Sequence, residues 1–329
     1  MELKKVDTDA FKLSRTLTLE TEAAIYATWD RLLTCYTAAK VTFHSDRHAA
    51  ILGLARVMCG YLRLDPSSAY VNGIWRDRFI EGLLWRSNTG FPTQNRRHTS
   101  GGCSWSWMSQ EGGIYSQYMD VKRSETHQVP EVQRQTVAEV LEAQGLCTLL
   151  SGSTVPGGFA RVRGPMCSVT FTGSGPHDVD GYQRCKYSLD FGGSTLHHPD
   201  SFILLLDDGS TLTPEACRSA LYLLLARVST NMELLDAADA ELASKPMFGS
   251  GKYECLLLEV DPDLKGAFRR LGLVDFEFPS SERFLDPTAA RERKERVCRI
   301  VDAQLQSDDI AEELVESVDA DHNYTIVLV

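Results

Sequence analysis

The sequence predicts an α+β protein, in which a helical N-terminal part packs on an antiparallel β-sandwich or barrel-like part. Two observations support this prediction. The period of the apolar residues changes near residue 146 from the helical value of about 3.6 to the strand value of about 2. No regular strand–helix alternation follows, so a doubly wound parallel sheet is not favoured. We expect residues 1–145 to be mainly helical, residues 146–329 to be β-rich with a C-terminal helix, and both parts to share one core.

The N-terminal part contains several helix patterns and one strand pattern. Apolar residues recur with helical spacing over 20–39, and again from an N-cap at Ser45 to Leu62. A third helix is predicted to begin near Ala69 and to extend to Leu84, and a fourth to cover 132–144 and end at Gly145. Between them, the tryptophans of residues 104–108 alternate with serines, which indicates a short strand.

The C-terminal part is divided into strand-sized apolar runs by Gly, Pro and Asp turn residues. Gly173-Ser174-Gly175-Pro176 is interpreted as one such turn. Asp286-Pro287 is a typical helix start, so a helix is expected from there to about Leu305, and 325–329 closes the chain as a strand. The predicted strands before that helix cover 160–162, 166–172, 182–191, 202–206, 220–228, 253–260 and 268–276.

Composition excludes several functional classes. The 329 residues carry a net charge of −11, and no stretch concentrates Lys and Arg, so nucleic acid is not an expected partner. The N-terminus lacks the apolar segment of a secretory signal, and no apolar run approaches the roughly 18 residues of a membrane span. The nine cysteines are widely spaced. We therefore expect a cytoplasmic protein with reduced thiols and no membrane partner.

The sequence contains fragments of cofactor and metal motifs, and none of these fragments is a complete motif. Gly249-Ser250-Gly251-Lys252 resembles part of a phosphate loop, but Pro246 and Tyr253 stand where Gly and Ser or Thr are needed. His197-His198 lacks a third metal ligand and a nucleophile motif. The prediction is that the protein binds no metal, haem, flavin or nicotinamide.

Five motif segments occur in order over most of the chain, at 36–55, 70–75, 82–85, 103–109 and 268–272. Together they resemble the region that follows the HET domain in fungal heterokaryon-incompatibility (HET) proteins, in the same order. The departures are Ala39, His48 and Cys103, which replace the family's Arg, Leu and Pro. Only 35 residues precede Tyr36, too few for the HET domain, so the cell-death activity of that domain is not implied.

The resemblance leaves two functional hypotheses. In the first, the scaffold has been recruited as a cofactor-independent cyclase or isomerase of fungal secondary metabolism, which binds a small molecule. In the second, it is a non-catalytic recognition module that acts with a separate HET-domain protein in heterokaryon incompatibility or innate immunity. A ligand site is predicted at the aromatic cluster, with an arginine as its polar handle; the alternative is that the rings are core. The predicted site residues are Trp75, Arg76, Arg78, Trp85, Trp105, Trp107 and Tyr115.

Overall fold

A computed structural model gives the fold for most of the chain. The described residues are 22–39, 44–87, 103–110, 112–116, 132–145, 158–179, 182–197, 202–207, 220–231, 251–262, 264, 266–276, 287–307 and 310–329. The fold is mixed α/β and its sheets are mostly antiparallel, which confirms the predicted α+β class at this level. Asp286, the residue predicted to start the C-terminal helix, lies outside the described residues.

The first two helices are confirmed. Helix α1 covers Glu22–Ala38 and buries Ile25, Tyr26, Trp29 and Leu33 along one side. Helix α2 covers His44–Leu62, so it begins one residue before the predicted cap. The agreement follows from the helical spacing of the apolar residues in both segments.

The third predicted helix is wrong over its first half. The chain forms a hairpin there, with strand β1 (Tyr70–Val71) paired to strand β2 (Ile74–Trp75). Asn72 and Gly73 both have positive φ, +44° and +91°, as a two-residue primed turn requires, and such a turn is incompatible with a helix. Only a 3₁₀ turn at Arg76–Arg78 and the short helix α3 (Phe79–Leu83) retain helical backbone.

The predicted strand at the Trp-Ser alternation is also wrong. Residues 103–110 form turns that lead into a 3₁₀ helix at Trp107–Ser109. The Ser106 hydroxyl caps this helix by accepting a hydrogen bond from the Met108 amide at 3.0 Å. A serine that bonds its own local backbone competes with strand pairing, which explains the departure from the alternating pattern.

Strand β3 (Arg86–Ser87) pairs with β4 (Ile114–Tyr115), separately from a large sheet of 11 strands. The strands of the large sheet are β5 (Val132–Thr136), β6 (Glu139–Gln144), β7 (Phe159–Val179), β8 (Tyr182–Asp190), β9 (Thr195–His197), β10 (Ile203–Leu206), β11 (Leu221–Asn231), β12 (Gly251–Val260), β13 (Ala267–Phe276), β14 (Ser317–Val318) and β15 (Asn323–Leu328). In this sheet β11 pairs with β12, β12 with β13, and β13 with β15, while β15 and β11 both pair with β7. All of these pairs are antiparallel except β13–β15.

Two further predictions are corrected by this sheet. The predicted helix at 132–144 forms β5 and β6 instead, because these segments complete the ladders along β11 and β7. Pairing to a neighbouring strand overrides the local helical pattern. The predicted strands 160–162 and 166–172 are one strand, β7, which continues through the predicted turn at 173–176 with a bulge between Ser174 and His177.

Buried side chains fill both faces of the sheet. One cluster combines α1, α2, α3 and the tryptophan segments with side chains of the sheet such as Leu256 and Ile326. The other lies against helix α4 (Pro287–Ser307), the helix expected after Asp286, and includes Leu257 and Val301. Strands β5 and β6 precede residue 145, so the change from helix to strand does not fall at the predicted boundary. The division into 1–145 and 146–329 stays a prediction.

The inner side of α4 carries a buried carboxyl group. The Tyr253 hydroxyl donates to Asp302 Oδ2 at 3.3 Å, and burial raises the pKa of Asp302 to about 6. Its pKa in the unfolded chain is about 3.9, so the folded state favours the protonated form. This contribution to stability is therefore fully present below about pH 4 and is lost as the pH rises through about 6.

We accordingly expect Asp302→Asn to reduce the pH dependence of unfolding. At neutral pH the variant should be more stable than the wild type by about 1–3 kcal/mol. The upper limit follows from the rise of about 2 units in the pKa of Asp302, because each unit corresponds to about 1.4 kcal/mol. Urea denaturation between about pH 4 and pH 7 measures the effect. Glu292→Gln, on the exposed side of the same helix, is the control. Parallel pH profiles for Asp302→Asn and wild type would contradict the assignment.

Candidate functional site

The four tryptophans of the predicted site belong to the core. Trp75, Trp85, Trp105 and Trp107 are 5%, 2%, 0% and 1% exposed. Trp75 packs edge-on against Trp29 at 5.1 Å between ring centroids, and Trp105 lies 5.3 Å from the Phe79 ring. A ligand that approaches from solvent has almost no access to these rings.

Hydrogen bonds join the β1–β2 hairpin to the segment 103–109. Asn72 Nδ2 donates to Cys103 Sγ at 2.9 Å, and the Ser106 hydroxyl donates to the Asn72 carbonyl at 2.5 Å. Trp107 Nε1 donates to the Gly73 carbonyl at 2.7 Å. The two segments thus satisfy each other's buried polar groups, which explains why Asn-Gly and Trp occur together here.

Arg270 joins two more of the motif segments, and it is fully buried. Its guanidinium donates to the carbonyls of Leu83 and Trp85, and lies 3.8 Å from the centroid of the Trp85 ring. It also forms an ion pair of 2.8 Å with Asp207 Oδ1. Four of the five segments of the HET resemblance therefore meet in one buried cluster, and their polar groups serve its packing.

Further bonds tie this cluster to the last strand. The Arg270 amide donates to the Ser104 hydroxyl at 2.9 Å, and the Ser104 amide and hydroxyl both donate to the Val329 carbonyl oxygen. The Val329 amide in turn donates to the Phe268 carbonyl at 3.0 Å. Ser104 thus connects segment 103–109 with β13 and with the residue that follows β15.

Gly73 provides a test of this packing. A Cβ at Gly73 would lie 2.4 Å from Trp107 Nε1, and its φ of +91° disfavours any L side chain. We expect Gly73→Ala to destabilise the protein by at least about 2 kcal/mol, through backbone strain and the displaced indole. Gly53→Ala in α2 is the matched control, because nothing lies within 4 Å of its Cβ and alanine stabilises a helix by about 0.5–1 kcal/mol. Equal effects of the two changes in chemical denaturation would contradict the assigned packing.

The polar residues of the predicted site either bind other groups of the protein or are exposed to solvent. Arg76 donates to the Ser68 carbonyl at 3.0 Å and to the Ala143 carbonyl at 2.8 Å. Arg78 pairs with Glu22 at 2.8 Å and lies 4.2 Å from the Tyr26 ring centroid. Tyr115 is 43% exposed on β4, directly opposite Arg86 of β3. The predicted set is thus not assembled around one cavity in the described part of the chain, and its exposed members are Arg76 and Tyr115.

A second group of side chains, the charge cluster, was missed by the sequence analysis. It comprises three cations, Arg86, Arg227 and Lys252, and two carboxylates, Glu254 and Asp275. The two carboxylates are paired residues on β12 and β13 and are 1% and 0% exposed. Like charges at paired positions repel, so the pair requires compensation.

The cations of the charge cluster provide that compensation. Arg86 Nη2 lies 3.2 Å from Glu254 Oε1 and 2.7 Å from Asp275 Oδ2. Lys252 Nζ bridges the same two atoms at 3.4 and 3.1 Å. Arg227 Nε lies 2.5 Å from Glu254 Oε2. The two bridging cations keep partly exposed side chains, 22% for Arg86 and 19% for Lys252, whereas Arg227 is buried.

The charge cluster contains a buried carboxyl group, Asp275, whose titration is perturbed. Burial raises the pKa of Asp275, while Arg86 and Lys252 oppose the rise and Glu254 adds to it. Asp275 Oδ1 and Arg86 Nε are buried and have no hydrogen-bond partner in the described structure. The described residues of this group are thus three cations and two carboxylates. Such a cluster at a strand end, with perturbed titration, is a candidate for ligand binding.

A sequence signal for the charge cluster exists, although it is weak. Lys252 and Glu254 alternate with the buried Tyr253 and Cys255, which places both charges on one face of β12. The run from Phe268 to Phe276 likewise contains Asp275 in an apolar context. Arg86, which pairs with Glu254, lies 168 residues earlier in the chain. Local patterns cannot reveal that meeting.

The described part of the chain also contains an open cleft of about 480 Å³ beside the parallel contact of β13 and β15. Leu264, Val315 and Val327 line it, together with Glu313 and Glu316. Glu316 is already held by Arg161, at 2.6 Å. The cleft is wide open to solvent and none of the tryptophans lines it, so it is not the predicted site.

Comparisons with known proteins give no relative. No family model matches the sequence, no curated protein matches it, and no solved structure matches the fold. Within the described residues, no helix is long and apolar enough to cross a membrane, and no group of three or more His, Cys, Asp or Glu side chains is placed to hold a metal ion. The HET resemblance therefore stays a prediction from the motif segments.

Proposed function

We propose that the protein is a HET-related fungal protein that binds a small molecule and acts as a cofactor-independent cyclase or isomerase of secondary metabolism. One observation carries the proposal: Arg86 and Lys252 bridge two buried carboxylates and keep partly exposed surfaces. The proposal moves the ligand site from the tryptophan cluster to the charge cluster, with Tyr115 as its one retained residue.

The chemistry follows from what such reactions need. Ring closures and isomerisations that pass through an enolate or alkoxide place negative charge on a substrate oxygen in the transition state, and fixed cations in a partly water-excluded site stabilise that charge. Glu254 and Asp275 act as positioning residues, because they hold Arg86 and Lys252 in place before the substrate arrives. The exposed ring of Tyr115 supplies apolar contact beside Arg86.

An isomerase, or a cyclase that closes a ring by intramolecular addition, has a distinctive product signature, since substrate and product have the same mass. We expect deletion of the gene in the organism that encodes it to cause one metabolite to replace another of identical mass. Wild-type protein should reverse the exchange, and Lys252→Met should not, whereas Arg163→Met, in an exposed pair with Glu139, should behave as wild type. A metabolite profile without any such isomer exchange would contradict the enzymatic proposal.

The recognition module remains the second candidate, and the burial of the tryptophans favours it. If the motif segments serve packing alone, the resemblance preserves a scaffold and implies no chemistry. Under this alternative the protein acts with a separate HET-domain protein. A HET-domain protein that copurifies with the tagged chain from its own organism, with an unchanged metabolite profile on deletion, would support it.

Two further proposals concern the arrangement of the large sheet and the location of the protein. We infer a barrel-like arrangement of β7, β11, β12, β13 and β15, which is supported by pairings that return from β15 to β7. We also propose a cytoplasmic location, which rests on the sequence features given above.

A further inference from the structure

We propose that the open cleft beside β13 and β15 binds a small organic ammonium ion that carries an alkyl chain. The cleft is separate from the charge cluster. Ala267 lines the cleft at the start of β13, and Asp275 lies eight residues farther along that strand, which is on the order of 25 Å at about 3.3 Å per residue. The inference therefore concerns a second site and does not rest on the proposed enzymatic function.

The cleft lies where the last strand changes its neighbour. One edge of β15 pairs with β7 along the whole strand. The other edge pairs with β14 at 324–325 and with β13 at 327–328. Residues next to both of these partners line the cleft, since Ala267 begins β13 and Glu316 directly precedes β14. Its volume of about 480 Å³ lies within the range of small-molecule sites.

Aliphatic side chains form much of the cleft wall. Leu264, Val315 and Val327 line it together with Ala267 and Val329. Leu264 is 52% exposed, so an alkyl chain that covers it removes apolar surface of both partners from water. Among the described lining residues none is aromatic, which favours an alkyl chain over a conjugated ring that needs a stacking partner.

The charged side chains at the cleft are acidic. Glu313 and Glu316 are the charged lining residues in the described part of the chain. Glu316 already binds Arg161 through contacts of 2.6 and 3.1 Å. Glu313 is exposed and has no ionic partner among the described residues, so its carboxylate is available to a ligand. The net charge of −11 adds to the preference for a cation.

Hexylammonium is the probe, and a titration followed by saturation-transfer difference NMR is the measurement. We expect it to bind the intact protein with a dissociation constant on the order of millimolar, because the cleft is open to solvent. Hexanol has the same chain without the charge and should bind about threefold more weakly. Hexanoate should not bind, because its charge is repelled by Glu313. Salt should weaken the binding of hexylammonium and leave that of hexanol unchanged.

Variants at two exposed positions separate the charged and apolar parts of the site. Glu313→Gln should weaken hexylammonium binding about threefold and leave hexanol binding unchanged. Leu264→Lys places a cation at the wall and removes apolar contact, so it should weaken hexylammonium binding about tenfold or more. Glu292→Gln, on the exposed side of α4, is the matched control and should bind as wild type. Melting temperatures establish that each variant is folded.

A further probe distinguishes a small molecule from a side chain of a partner protein. Lysine that is blocked at both backbone ends carries the same ammonium group on a shorter alkyl stem, and it should bind more weakly than hexylammonium. Binding of blocked lysine as tight as that of hexylammonium would overturn the assignment to a small molecule. Equal affinities of hexylammonium and hexanol, or of wild type and Leu264→Lys for hexylammonium, would overturn the site itself.

Discussion

Arg270→Met should destabilise the protein by about 3–5 kcal/mol, the range observed when one partner of a buried ion pair is removed. Arg270 is fully buried, and its guanidinium binds Asp207 and the carbonyls of Leu83 and Trp85. Methionine fills most of the volume of the arginine side chain, so the loss of stability measures the missing polar contacts more than the effect of a cavity. Equilibrium unfolding in urea measures the difference.

Two companion variants identify the cause of that loss. Adding Asp207→Asn to Arg270→Met should recover part of the stability, because the double variant no longer buries an uncompensated carboxylate. Arg163→Met removes an arginine from a surface pair with Glu139 and should cost at most about 1 kcal/mol. A loss for Arg270→Met as small as that of Arg163→Met would show that Arg270 does not hold the segments together.

Arg86→Met should cost about 3 kcal/mol near neutral pH, the lower end of the range for a buried pair, because Lys252 still bridges both carboxylates. The loss should depend on pH. Removal of Arg86 takes away the largest influence that lowers the pKa of Asp275, so this already raised pKa rises further. A raised pKa stabilises the fold at low pH and this contribution disappears as the pH increases, so the loss should be larger at about pH 8 than at about pH 5.

The pH dependence is checked with a matched pair. In an Asp275→Asn background, Arg86→Met should have a smaller effect that varies little with pH, since the titrating group is gone. Denaturation of the four proteins at both pH values forms a double-mutant cycle for the Arg86–Asp275 pair. A pH-independent loss in the wild-type background would contradict the assigned electrostatics.

Much of the fold could be predicted from sequence, because local rules determine it. Helices α1 and α4 have long amphipathic patterns, and strands β8, β10, β12 and β13 lie close to their predicted ranges. The failures occur where a distant partner decides the structure. Residues 132–144 form strands because they pair with β11 and β7. Residues 103–109 form turns because their serines donate hydrogen bonds to the backbone carbonyls of Asn72 and Val329.

The candidate site was harder to predict for the same reason. The aromatic residues were recognised as a group, but spacing alone does not distinguish a pocket wall from a core. The answer depends on Asn72, Cys103 and Arg270, which satisfy polar groups inside the cluster. The charge cluster combines residues of β3, β11, β12 and β13, and only the pairing of these distant segments brings its charges together.

The roles of the tryptophan cluster and the charge cluster are compared most directly with two variants, Trp107→Phe and Lys252→Met. Each is measured for stability and for its ability to reverse the isomer exchange that follows gene deletion. Trp107→Phe loses a buried hydrogen bond to Gly73 and part of its ring volume, so it should cost about 1–3 kcal/mol of stability and still reverse the exchange. Lys252→Met should remain folded and fail to reverse it. A Trp107→Phe protein of unchanged stability that fails to reverse the exchange, together with a Lys252→Met protein that reverses it, would return the site to the aromatic rings.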